Sequence, residues 1–182
     1  MVKLREKPFY LDDEGVKWVE ETLQRMTLEE KVGQLFCEVV WSSEDAEIER
    51  IFSRIKPGGT MVNSRMKMED TIKVANACQR HSDIPMLIAA NLERGGNGAT
   101  CDGTYFSTPL GVAATDNEQN AYRLGYVAGK EGKAVGINWS YEPLLDIHDN
   151  PLSAVLNTRT FGNNPDRIIR MASAYMRGCY DA

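Results

Sequence analysis

The chain has 182 residues, 42% of them apolar and 26% charged, with a formal charge of −5. That is enough for one domain with a real core, and it excludes a disordered or fibrous chain. Nucleic acid is a poor partner for this acidic chain, because phosphate binding takes clustered Lys and Arg and the nearest basic run is Arg65-Met66-Lys67.

No segment approaches the roughly 18 consecutive apolar residues of a membrane span. Met1 to Pro8 is charged and has no apolar signal-peptide region. The four cysteines, Cys37, Cys78, Cys101 and Cys179, form no C-x-x-C pair and no zinc spacing. Most of them sit in apolar-periodic contexts, where a buried free thiol is the commoner case. A reducing, cytoplasmic compartment is the expectation.

Strand-like and helix-like segments alternate along the chain, which predicts an α/β fold with parallel strands. A first helix is predicted over Asp12 to Arg25, with Val16, Val19 and Leu23 as its apolar stripe. Thr27-Leu28-Glu29-Glu30 reads as a capping box opening a short helix. Gln34 to Val40 is apolar enough for a buried strand. A helix from Ser43 or Glu44 carries Ile48, Ile51, Phe52 and Ile55 at helical spacing, and Pro57-Gly58-Gly59 stops it. Thr60 to Asn63 is a short strand. Met68 to Arg80 is a helix with Ile72, Ala75 and Cys78 inward, and Met86 to Ala90 is a third strand.

The glycine-rich stretch from Asn91 to Gly103 is too long for a minimal turn and is expected to carry function. Thr115 and Glu118 read as a second capping box. The helix it opens reaches about Ala134 and is rich in small residues, which predicts close approach to a neighbouring backbone. Its Gly125 to Gly132 stretch lacks the Lys-Ser/Thr of a phosphate loop. Gly136 to Tyr141 is a fourth strand. Asn164 as N-cap and Pro165 at the first helical position open the last helix, with Ile168, Ala172, Tyr175 and Cys179 inward. Four βα units fit either a small open sheet or half of an eight-stranded barrel, which takes about 250 residues. Periodicity does not choose between them.

Several segments resemble glycoside hydrolase family 3, the β-glucosidases and β-N-acetylhexosaminidases. Met26-Thr27-Leu28-Glu29-Glu30-Lys31-Val32-Gly33-Gln34-Leu35 is similar to the opening motif L-T-L-E-E-K-I-G-Q. Lys56-Pro57-Gly58-Gly59 resembles the segment leading into the second strand. Pro85 to Gly96 resembles the third strand and a loop ending D-x-E-G-G. Gly136 to Ile147 is similar to G-I-N-x-x-F-A-P-V-L-D-V. Asn157-Thr158-Arg159-Thr160-Phe161-Gly162 with Asp166 resembles R-S-F-G-x-D-P. The blocks occur in family order from about Leu23 to the end of the sequence.

The resemblance implies a partial (β/α)8 TIM-type barrel, with residues 1–182 as about its first four βα units. It implies a carbohydrate substrate and no cofactor. In that family a K-H-F-P-G loop and the aspartate nucleophile come later in the chain, so the catalytic residues are expected beyond residue 182. Retaining glycosidases use two carboxyl groups about 5–5.5 Å apart. Without the nucleophile the chain is expected to bind sugar weakly and hydrolyse nothing alone. A half-barrel also leaves open sheet edges and an apolar face. Self-association, or a disordered loop near Asn97 to Thr104, is therefore expected.

Barrel sites lie at the C-terminal ends of the strands, and the resemblance places four substrate-binding residues there. Asn91 stands where the family has a sugar-gripping aspartate; an amide still donates and accepts but loses charge-assisted bonds. Glu93 matches the family glutamate, while Arg94 replaces a glycine. The competing reading is an ordinary glycine-rich loop with a surface ion pair. Asp146 matches the aspartate of P-V-L-D; it could equally hold its own loop by backbone bonds. Arg159 matches the R-S-F-G arginine, whose planar fork suits paired hydroxyls or an active-site carboxylate. A solvated loop arginine is the alternative.

Asp146, His148 and Asp149 are too few for a metal site in a chain with only two histidines. Trp139 and Tyr141 alternate with Asn138 and Ser140 and are read as core packing, whereas Trp41 is a possible sugar platform. Two other readings stay open. One is a non-catalytic carbohydrate-binding or regulatory relative; the other is an unrelated four-unit α/β domain.

Overall fold

The computed structural model describes residues 2–182. Four strands, β1 (Cys37–Val40), β2 (Gly59–Val62), β3 (Leu87–Ala90) and β4 (Trp139–Ser140), form one parallel sheet in the order β1-β2-β3-β4. Helices α1 (Asp13–Arg25) and α2 (Leu28–Gly33) precede β1, and α3 (Asp45–Ile55) and α4 (Met68–Arg80) follow β1 and β2. Between β3 and β4 lie α5 (Pro109–Ala113) and α6 (Glu118–Ala134), and α7 (Pro165–Asp181) comes last.

Consecutive strands are neighbours throughout, without the reversal of order that marks a doubly wound sheet. The core lies on one face only. Val40, Val62, Ile88 and Ala90 point to the helices and pack with Ile48, Phe52, Val74, Leu124 and Tyr175. Side chains alternate along a strand, so Cys37, Leu87 and Trp139 face the other way. On that face Leu87 is 51% exposed and Cys37 is exposed. Helices outside, consecutive strands and an open inner face are the arrangement of adjacent barrel staves.

The helix starts follow local chemistry. Asp12 caps α1 by accepting the Gly15 N–H at 2.8 Å. The Thr27 capping box forms: Thr27 N–H donates to Glu30 Oε2 at 2.9 Å, and Glu30 N–H to Thr27 Oγ1 at 3.2 Å. Glu30 Oε1 also receives Lys56 Nζ at 2.6 Å, tying α2 to the end of α3. Of the expected α1 stripe, Val16 is buried but Leu23 is exposed. Asn164 and Pro165 open α7 as expected, with Asn164 Oδ1 accepting the Arg167 N–H.

The Thr115–Glu118 capping box does not form. Thr115 Oγ1 donates to Val112 O at 2.7 Å, and Asn117 caps α6 instead. The cause is α5, which the sequence reading missed: Thr115 closes that helix and so cannot open the next. The small residues of α6 do bring a backbone close. A Cβ on Gly125 would lie 2.1 Å from Tyr175 O of α7, and one on Gly178 would lie 2.1 Å from Tyr122 O of α6.

The fourth strand is far shorter than Gly136 to Tyr141. Gly136 turns with φ +93°, and the Asn138 side chain takes ladder positions itself. Asn138 Oδ1 accepts Ile88 N–H at 2.7 Å, and its Nδ2 donates to Met86 O at 3.0 Å.

The expected disorder near Asn97 to Thr104 is also replaced by anchoring. Cys101 N–H donates to Met66 O at 2.8 Å, Asp102 Oδ1 accepts the Met68 N–H that opens α4, and Glu131 Oε2 accepts the Thr104 N–H at 2.7 Å.

Candidate functional site

The loops after β1, β3 and β4 emerge at the C-terminal ends of the strands. Residues 91–95 leave β3 there. Arg159 reaches the same place from a short 3-10 turn, Asn157–Arg159. The next two residues, Thr160 and Phe161, are buried, so the arginine is held against the core.

Arg159 Nε donates to Glu93 Oε2 at 2.8 Å and to Oε1 at 3.2 Å. The Glu93 side chain is only 15% exposed. Both carboxylate oxygens are engaged by one nitrogen, and the two terminal nitrogens of Arg159 bond nothing among the described residues. A fork held from behind with its outer N–H groups free suits a ligand with neighbouring hydroxyls. The structure thus joins two of the four predicted residues across 66 positions of sequence.

Asn91 sits two residues before Glu93, half-buried, and its side-chain amide bonds no described neighbour. Its carbonyl is packed under Gly98, where a Cβ would come within 1.6 Å. Asp146 is exposed and makes no hydrogen bond among the described residues. It does not hold its loop; His148 N–H does, by donating to Gly162 O at 3.0 Å. Nor is Asp146 in bonding contact with Glu93 or Arg159. Arg94 turns away to Tyr105, donating to its hydroxyl at 2.9 Å.

Glu142 escaped the sequence reading. It follows β4, and its Oε2 accepts Leu92 N–H at 2.6 Å and the Ser140 hydroxyl at 3.0 Å. Its Oε1 is buried without a partner. Burial, with the Glu93 charge nearby, raises the Glu142 carboxyl above its ordinary range against the pull of those hydrogen bonds. The signal was legible: the similar family segment has alanine at this position.

Aromatic residues occupy the open sheet face. Trp139 and Tyr141 meet edge to face with centroids 4.8 Å apart, and the Tyr141 hydroxyl lies 3.0 Å from Cys37 Sγ. Trp139 lies over Gly59, and neither ring belongs to the helix-covered core, contrary to the core reading. Trp41, at the C-terminal tip of β1, is 70% exposed.

A cavity of about 690 Å³ lies elsewhere. Gln34, Lys56, Pro57 and Ile84 line it, and they precede β1, β2 and β3, so it opens at the N-terminal ends of the strands. A smaller hollow of about 380 Å³ adjoins His148, Asp149 and Gly162. No group of three or more His, Cys, Asp or Glu gathers among the described residues to hold a metal.

The family description that matches the chain is the glycosyl hydrolase family 3 N-terminal domain, over residues 27–182. The chain is 34% identical over 176 residues to a β-N-acetylglucosaminidase/β-glucosidase of Cellulomonas fimi, covering 97% of this chain and 31% of that protein. The solved structure of the β-glucoside phosphorylase BglX bound to 2FGlc superimposes with a TM-score of 0.91 at 45% identity. That match covers 98% of this chain and 32% of the other. A family 3 β-N-acetylglucosaminidase from Paenibacillus sp. superimposes with a TM-score of 0.74 at 26% identity, covering 86% and 31%. The chain thus spans about a third of the length of these relatives.

Proposed function

The chain belongs to glycosyl hydrolase family 3, and on that premise we propose that it supplies part of the sugar site of an enzyme acting on β-linked sugars at their non-reducing ends. The observation that carries the reading is Arg159. Glu93 fixes its guanidinium at the strand tips, and its terminal nitrogens stay free to donate to sugar hydroxyls. In this reading Asn91 and Asp146, whose side chains bond no neighbour among the described residues, add an amide and a carboxylate to the same cradle.

The attacking carboxylate is, in this proposal, not supplied by residues 1–182. Glu93 is occupied by Arg159, and Glu142 by the Leu92 N–H and the Ser140 hydroxyl, so neither stands ready for an anomeric carbon. The four cysteines are free, and a reducing, cytoplasmic compartment is proposed with this reading.

A second reading concerns the acceptor. The relative at 45% identity is a β-glucoside phosphorylase, which favours transfer to phosphate over transfer to water.

The experiment takes the 182-residue chain, and a polypeptide extended to the length of the relatives, with aryl β-glucoside and aryl N-acetyl-β-glucosaminide. The proposal expects weak sugar binding and no turnover by the short chain. Turnover by the short chain would overturn the assignment of the nucleophile, and absence of sugar binding would overturn the cradle. Binding by both polypeptides without turnover by either would favour a non-catalytic relative. For the longer polypeptide, sugar 1-phosphate formed only with added phosphate marks phosphorolysis, and free sugar marks hydrolysis.

A further inference from the structure

The ladder between β3 and β4 is short, ending at the Ala90–Ser140 pair. Beyond it, Tyr141 N–H reaches Ala90 O only at 3.5 Å. The next donor on the β3 side, Leu92 N–H, has no strand partner. The Glu142 carboxylate takes that place, at 2.6 Å. It mirrors Asn138, whose side chain bridges to β3 at the other end of β4.

The Leu92 peptide is gripped from its other side as well. Its carbonyl accepts the Tyr175 hydroxyl of α7 at 3.1 Å and Gly95 N–H at 3.2 Å. Its side chain is buried and packs on α6, where a Cβ on Gly132 would meet Leu92 Cδ1 at 3.0 Å. Glu142 is itself braced: the Ser140 hydroxyl donates to its Oε2 and accepts its N–H. The residues on either side of Leu92 are Asn91 and Glu93.

We propose that Glu142 is a positioning residue, setting the places of Asn91 and Glu93 through the Leu92 peptide. What Asn91 and Glu93 do rests on the sugar-site reading above; how they are held rests on this geometry alone. The carboxyl stays on Leu92 at an electrostatic cost, since one oxygen is buried unpaired and Glu93 opposes its charge. Tyr141, Tyr175 and Cys179 also feel its charge, and none of the three is a cation. A carboxylate in such surroundings does little for stability by itself, but it fixes one amide in space.

The test uses the isotope-labelled 182-residue chain with Glu142→Ala, Glu142→Met and Glu142→Gln, titrated with methyl β-D-glucoside and N-acetylglucosamine. Alanine and methionine remove the acceptor, and methionine keeps the volume should alanine fail to fold. Glutamine retains an oxygen for Leu92 N–H. The Leu92 amide proton should move upfield in Ala and Met. Sugar affinity should fall about tenfold in both and return to within about threefold in Gln, as loss and repair of a charge-assisted bond would give. Affinity equal to wild type in a folded Ala or Met variant, with Asn91 and Glu93 signals unmoved, would overturn the proposal. If wild type binds neither sugar, the sugar-site reading fails, and hydrogen exchange over residues 91–95 decides the clamp. Faster exchange in Ala or Met, restored in Gln, upholds it; unchanged exchange refutes it.

Discussion

Arg159 Nε lies 2.8 Å from Glu93 Oε2, although 66 positions separate the two residues in sequence. The bond ties the loop after β3 to the long connection after β4. That places a mostly buried carboxylate and a half-free guanidinium at one end of the sheet. It is the only one of the predicted juxtapositions that the described residues make by direct contact.

Replacing Arg159 by alanine leaves the Glu93 carboxylate without its partner where it is only 15% exposed. Unfolding by urea should show a loss of about 1–3 kcal/mol. Lysine keeps the charge but not the planar fork, so Arg159→Lys should recover part of the stability and little of the sugar affinity. Stability unchanged in Arg159→Ala would show the pair to be ornamental.

Asp146 is exposed and bonds no described neighbour. Asp146→Asn should therefore leave stability within about 0.5 kcal/mol of wild type. Its effect should appear in sugar affinity alone, measured by titration calorimetry. A stability loss well beyond that range would return Asp146 to the role of a loop anchor.

Gly125 is required by the contact between α6 and α7. An alanine there gains about 1 kcal/mol of helix propensity. Its Cβ would stand 2.1 Å from the Tyr175 carbonyl, a backbone atom that cannot swing aside. Overpacking of this kind costs about 1–3 kcal/mol, so Gly125→Ala should lower the melting temperature despite the better propensity. A higher melting temperature would mean that the two helices are not locked at this distance.

Glu142 predicts a pH signature. Burial raises its folded pKa above the unfolded value, so the folded chain binds this proton more tightly than the unfolded one. Its contribution to stability is full below the unfolded pKa and is lost as pH rises through the folded pKa. From about pH 4, the ordinary glutamate value, toward neutrality, wild type should lose stability relative to Glu142→Gln. Parallel urea series that keep a constant gap between the two proteins would contradict this.

The open sheet face predicts association with a second copy. Leu87 and Tyr141 are exposed on it, and β1 and β4 each pair on one side only. Unpaired edges beside apolar surface template association. Sedimentation should show dimers or larger species growing with concentration, and a monomer at all concentrations would contradict that.

The elements set by local chemistry were legible in the sequence. Thr27 with Glu30, Asn164 with Pro165, and the span Met68–Arg80 appear as read. So does the close approach promised by Gly125. Where the reading failed, one residue had two local uses. Thr115 could open one helix or close another, and Thr108-Pro109, a legible N-cap and first-turn proline, was overlooked. Asn138 lies in an alternating segment that reads as strand, yet its side chain takes ladder bonds beside those of its backbone. Asn91, Glu93, Asp146 and Arg159 came from resemblance, because no spacing rule links positions 93 and 159. Glu142 was visible only as a departure from a motif, and its purpose needed the position of Leu92 N–H in space.

The most direct measurement is a crystal structure of the 182-residue chain soaked with methyl β-D-glucoside. The sugar should lie at the C-terminal strand tips, with hydroxyls within about 3 Å of the Arg159 terminal nitrogens and Asn91 alongside. A sugar seated only in the cavity beside Lys56 and Gln34, at the opposite ends of the strands, would contradict it.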